Sequence, residues 1–152
     1  MSARAMQPAS PAPVTNVRSD AEILATWDVM RQLRPHLAEG EYLPMVRRMV
    51  QTDGYRLASV ADAGGIVRGV AGFRLMEMLY CGRILYVDDL VTDGESRSLG
   101  HGATLLAWLE REARTLGCAQ LHLDSGVQRH RAHAFYFRHR LAITAYHFAV
   151  NL

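Results

Sequence analysis

The chain has 152 residues, enough for one domain with a buried core, and it is 49% apolar and 21% charged, a balance that excludes a disordered or membrane-embedded chain. A formal net charge of +2, with both signs interspersed and lysine absent, excludes a nucleic-acid footprint. No apolar run is long enough to cross a bilayer, no signal peptide stands at the start, and Cys81 and Cys118 make no disulfide framework, so a cytoplasmic protein is expected.

Residues 1–14 hold Pro8, Pro11 and Pro13 among small side chains and read as a disordered tail, followed by a single domain over 15–152. A short opening strand near Val14–Arg18 overlaps that boundary. Ser19-Asp20-Ala21-Glu22 has the spacing of a capping box, and Ile23, Trp27, Met30 and Leu33 continue it as one helix that Pro35 ends. A second helix follows Gly40, with Pro44 in its first turn and Asp53-Gly54 at its end. The period then changes to two. Tyr55–Ala61 and Ile66–Leu79 read as strands joined by the turn Asp62-Ala63-Gly64-Gly65, and Ile84–Thr92 as a third. A helix from about Gly100 to Leu116, capped by Gly117, leads to a strand over Ala119–Asp124, a helix over Val127–Arg138 and a final strand over Ile143–Val150. This order predicts an α/β domain: a mixed, mostly antiparallel sheet flanked by about four helices, with one right-handed crossover.

The chemistry concentrates between Val87 and Gly102. An apolar strand carrying Asp88 and Asp89 runs into a polar loop, and Arg97-x-x-Gly100-x-Gly102 opens the next helix. Glycines let the backbone approach a ligand closely, while first-turn N–H groups and the helix dipole suit a phosphate. Tight packing would also explain a Gly-x-Gly. A P-loop is excluded because no Gly-Lys-Ser/Thr follows, and a dinucleotide fingerprint is disfavoured by Leu105 at the third glycine position. In a regular strand Asp88, Leu90 and Thr92 share one face, whereas a bulge would exchange the roles of Asp88 and Asp89. Two carboxylates in an apolar strand must be solvated, bonded or raised in pKa; they are either functional or a hydrogen-bonded structural pair. His130, His133, His139 and His147 have no carboxylate or cysteine at ligand spacing, so no metal site is expected.

Val87-Asp-Asp-Leu-Val-Thr92, then Arg97-x-x-Gly-x-Gly-Ala-x-Leu-Leu106, and His133-Ala-Phe-Tyr136 further on, resemble the motifs of the GNAT superfamily of N-acetyltransferases over nearly the whole chain. The resemblance implies acetyl-CoA as co-substrate, its pantetheine arm inserted where two central strands splay. Main-chain groups of Leu90 and Thr92 would hold that arm. The N–H groups of Arg97, Ser98, Gly100, Gly102 and Ala103 would hold the diphosphate. It further implies Asp88 as general base, directly or through water, and Tyr136 as the acid that protonates the leaving thiolate. Asp89, Glu77 and His133 are candidate substrate contacts, and the acidic residues point to a cationic acceptor: a polyamine, an aminoglycoside, or a lysine or N-terminal amine of a protein. Three positions depart from the family pattern: Ser98 and Arg140 stand where glycine is common, and Arg129 where asparagine is usual. A binding module or sensor for acyl-CoA with little turnover is the alternative. One strand remains after Tyr136 where the family generally has two, so either the sheet is shorter or an exposed edge is covered by a second copy; a homodimer is expected.

Overall fold

The computed structural model describes residues 12–152. Most of the expected tail lies outside the described residues, while Val14 already belongs to β1 (Val14–Val17). The helices α1 (Asp20–Ala25), α2 (Trp27–Leu33) and α3 (Glu39–Asp53) follow, then the strands β2 (Arg56–Ala61), β3 (Val67–Met78) and β4 (Gly82–Thr92). After α4 (His101–Thr115), β5 (Gln120–Leu123) and α5 (His130–Arg138) complete the order.

The capping box forms as its spacing requires: Ser19 Oγ accepts from the Glu22 N–H, and the Glu22 carboxylate accepts from the Ser19 N–H at 2.8 Å. The single helix expected behind it is instead two. At the joint, the fully buried Thr26 hydroxyl donates to the Ile23 carbonyl at 2.6 Å and lies 2.7 Å from the Tyr42 hydroxyl. A threonine bonded to its own preceding turn competes with the helical ladder and bends the chain there. The next helix starts at Glu39 rather than after Gly40, which places Pro44 inside α3 beyond its first turn.

Among the described residues five strands lie in the order β1-β2-β3-β4-β5. The first four are antiparallel neighbours, and β5 joins β4 in parallel after the crossover through α4. One face of the sheet packs Val60, Phe73, Leu85 and Val87 against Leu105 and Leu109 of α4. The other packs Leu57 and Val70 against Ile23, Met30 and Val46 of α1–α3. Each such side chain, fully buried, contributes about 1.5–3 kcal/mol relative to exposure. Beyond β5 the sheet stops: the strand expected over Ile143–Val150 does not form, and residues 141–152 belong to no helix or strand. Alternating apolar residues suit a strand, but a strand exists only where an edge pairs with it.

Two irregularities position the site. Gly72 pairs with Asp89 while the next residue, Phe73, pairs with Val87, so Asp88 is an extra residue on β4. The bulge resets the alternation. Val87 and Leu90 pack toward α4, whereas Asp89 and Val91 turn toward α1–α3. Asp88 therefore does not share a face with Leu90, contrary to regular alternation. Second, the β4–β5 ladder runs from Ile84↔Gln120 to Val87↔Leu123, so among the described residues β4 from Asp88 onward has no strand on its outer side.

Candidate active site

Where β4 leaves β5, a cleft of about 750 Å³ opens between the end of β4, the start of α4 and α5. Leu90, Thr92, Arg97, Ser98, Gly100, Gly102, Ala103 and Tyr136 all line it. The structure thus gathers every position read from the sequence as cofactor-holding, together with the tyrosine on α5.

The start of α4 presents uncapped N–H groups. Gly100 at its N-cap has φ +86°, no side chain caps the helix, and no acidic residue lies in the first turn. In contrast, α1 has its capping box and acidic residues in its first turn. The first N–H groups of α4 have no capping side chain, and the helix dipole adds partial positive charge there. Arg97, Arg129, Arg131 and Arg138 line the same cleft, and among the described residues no carboxylate does. Ser98, a non-glycine residue, takes φ +66°, and Arg140 takes φ +65° after α5. These are the two positions at which glycine is common in the family pattern, and both have the left-handed backbone that glycine adopts at no steric cost.

The loop before α4 is clamped from two directions. Asp93 accepts from Gln32 Nε2 at 3.1 Å and from Arg68 Nη1 at 2.6 Å, and the Gly94 N–H donates to Gln32 Oε1 at 2.9 Å. These bonds, that of Gln32 first, hold the Asp93 carboxyl below the usual carboxylate range.

The acidic pair divides at the bulge. Asp89 is buried, accepting from the Tyr55 hydroxyl at 2.7 Å and from Arg34 Nε at 2.8 Å. Arg34 also donates to the Asp88 carbonyl at 3.0 Å, tying the end of α2 to the bulge itself. Asp88 pairs with Arg74 at 2.9 Å on the face turned toward α1–α3. Burial raises the Asp88 pKa, against the opposing pull of the Arg74 guanidinium. Burial likewise raises the Tyr136 hydroxyl, the Arg129 cation pulling the other way, so Tyr136 stays protonated at neutral pH.

Four sequence candidates lie away from the cleft lining: Asp88, Asp89, Glu77 and His133. Glu77 is exposed opposite Arg83 near the far end of the β3–β4 hairpin. His133 turns to the β5–α5 loop, its Nε2 2.9 Å from the Gly126 carbonyl. Each carboxylate of the acidic pair has an arginine partner, Arg34 for Asp89 and Arg74 for Asp88. Sequence reasoning missed Gln32, Arg34, Tyr55, Arg68 and Arg74. Each acts across a long chain separation, and no local pattern marks it. Among the described residues no cluster of three His, Cys, Asp or Glu side chains forms, and no helix is long and apolar enough to cross a membrane.

The acetyltransferase (GNAT) family profile matches residues 23–140. YhdJ of Bacillus subtilis (strain 168), an uncharacterized N-acetyltransferase, is 33% identical over 118 residues, covering 78% of this chain and 82% of YhdJ. AAC(6')-Iy, solved in complex with the bisubstrate analog CoA-S-monomethyl-acetylneamine, superposes with a TM-score of 0.80 at 14% identity, over 94% of this chain and 99% of that one. An acetyltransferase of Trypanosoma brucei gives 0.74 at 19% identity, over 92% and 99% of the two chains. A transcriptional regulator of Bacillus halodurans gives 0.81 at 15%, over 93% and 99%, which shows a shared fold and nothing of activity. The bulged β4, the uncapped start of α4, Tyr136 and the match over residues 23–140 lead to one assignment: the chain belongs to the GNAT family of acetyltransferases.

Proposed function

We propose that the protein transfers the acetyl group of acetyl-CoA to a primary amine by direct attack within a ternary complex. The observation that carries this reading is the cleft, which joins an uncapped helix start, four arginines and no carboxylate to the open edge of β4 and to Tyr136. That donor set fits a diphosphate with an amide-bearing arm. The N–H groups of Arg97, Ser98, Gly100, Gly102 and Ala103 would hold the phosphates, and the main chain of Leu90 and Thr92 the amides. When bound, acetyl-CoA supplies an acyl group activated as a thioester.

The cleft opens on the α4 side, and Asp88 sits where β4 parts from β5 with its carboxylate on the opposite side. We infer that the amine approaches from that opposite side and that Asp88, directly or through water, takes its proton. Tyr136 gives a proton to the departing thiolate; its raised pKa keeps that proton available at neutral pH. Asp89 shapes the bulge through Tyr55 and Arg34. The acceptor is a small amine or a protein amine, and two free thiols suit a cytoplasmic location.

Thiol release from acetyl-CoA across a panel of amines tests the reading. Acceptor-dependent release is expected, and Tyr136→Phe and Asp88→Asn should each lower kcat by roughly 10²-fold or more. Tight binding of acetyl-CoA with no release for any amine would instead favour the binding-module alternative.

A further inference from the structure

The cleft holds more positive charge than a diphosphate at the start of α4 would use. Arg129, Arg131 and Arg138 come from α5 on the facing wall. That helix has no acidic residue in its first turn, and among the described residues none of the three arginines makes an ion pair. Elsewhere Arg34, Arg68 and Arg74 each bond a carboxylate. Unmatched cations that converge on one cleft draw anions to it. Helical spacing sorts the three. Arg129 stands at the N-cap, and its charge reaches the Tyr136 hydroxyl. Arg131, Phe135 and Arg138 fall at i, i+4 and i+7, on one face of α5. Phe135 fixes where that face looks. Its ring lies against the first turn of α4, where a Cβ on Gly102 would stand 3.4 Å from Phe135 Cζ. Arg131 and Arg138 therefore stand about one turn to either side of a ring that touches the start of α4.

We propose, resting on acetyl-CoA as the donor, that Arg131 and Arg138 grip the phosphate monoester on the ribose 3′ position of coenzyme A and select for it. Charge argues for a monoester. Such a group carries roughly −1.5 to −2 at neutral pH, more than either phosphate of the diphosphate. Two guanidiniums offer it two donor forks, and each fork matches phosphate oxygens in geometry as well as in sign. Position argues the same way. With the N–H groups of α4 on the diphosphate and the thiol end of the arm toward Tyr136, the ribose lies at the outer rim of the cleft. Arg131 and Arg138 are both exposed at that rim, across from the start of α4. A carrier that ends in an unphosphorylated ribose would leave both guanidiniums without a partner.

Calorimetric titration of the full chain with coenzyme A and with 3′-dephospho-coenzyme A tests the proposal. The parent should bind coenzyme A roughly 10–100-fold more tightly than the dephospho form. Arg131→Gln/Arg138→Gln, with unchanged far-ultraviolet dichroism, should bring coenzyme A down to the affinity of the dephospho form, whose own affinity stays within about twofold of the parent's. Arg48→Gln/Arg111→Gln removes as much charge from exposed positions outside the cleft and should keep the parent's ratio. Equal binding of the two ligands by the parent overturns the phosphate assignment alone. So does a cleft variant that keeps the ratio or loses both ligands alike, or a control that narrows the ratio as much. Failure of both ligands to bind the parent overturns the acetyl-CoA reading along with it.

Discussion

Asp88 is held between two opposed influences, burial that favours its neutral form and the Arg74 guanidinium that favours its charge. A base must be ionised to accept a proton, so turnover should fall as pH drops through the Asp88 pKa, which burial has raised above the usual carboxylate value. Arg74→Gln removes the opposing cation and leaves the burial. The Asp88 pKa should rise further, and the acid limb of the kcat/KM profile should move to higher pH. An unmoved limb would mean that Asp88 is not the base. Ser98 and Arg140 offer a second test at this scale. Left-handed backbone costs a side-chain-bearing residue about 1–2 kcal/mol, and glycine in its place loses roughly 0.5–1 kcal/mol in chain entropy. Ser98→Gly and Arg140→Gly should therefore each stabilise the fold by about 0.5–1 kcal/mol, read as a higher urea midpoint at unchanged m-value.

Among the elements, the β4 bulge depends on a residue of the neighbouring strand. A Cβ on Gly72 would lie 1.9 Å from the Tyr55 hydroxyl and 2.8 Å from Asp89 Oδ2. The Tyr55–Asp89 hydrogen bond occupies the space that only glycine leaves on β3, directly opposite Asp89 in register. Gly72→Ala should thus cost about 2–3 kcal/mol through overpacking and the displaced buried bond, measured by denaturant unfolding. Because Arg34 spans Asp89 and the Asp88 carbonyl, the same change should lower turnover in the fraction that remains folded. Full activity in that fraction would separate the bulge from the chemistry.

At the scale of the whole molecule, two acidic residues tie the loops at the end of the sheet to Arg68. Asp62 and Asp93 both bond this arginine, and hydrogen bonds hold both carboxyls below the ordinary value of 3.8. A group whose folded pKa is depressed contributes stability above its unfolded pKa and loses it as pH falls through the folded one. Stability should therefore decline below about pH 4. Arg68→Gln should lower stability at neutral pH and flatten that decline, as thermal melts across pH would show. Arg68→Gln melts that keep the parent's pH dependence would remove these pairs from the account.

Local information made the elements and the cofactor half of the site legible. The capping box at Ser19, the period-two run of β3 and β4, and Arg97-x-x-Gly100-x-Gly102 are short-range patterns, and an uncapped helix start binds anions wherever it is placed. All eight cleft-lining candidates came from such patterns or from family spacing. The break at Thr26 comes with its local bond to Ile23, whereas the bulge at Asp88 is set by pairing with Gly72, and the acidic pair is partnered by arginines at least fourteen residues away. Such contacts depend on which faces meet after folding, and an alternating pattern does not encode where one residue is gained. The same limit explains the last strand. By itself the sequence determined only the alternation of Ile143–Val150, and the tertiary structure decided that no strand forms there, because a strand is completed by a neighbouring edge and not by its own residues.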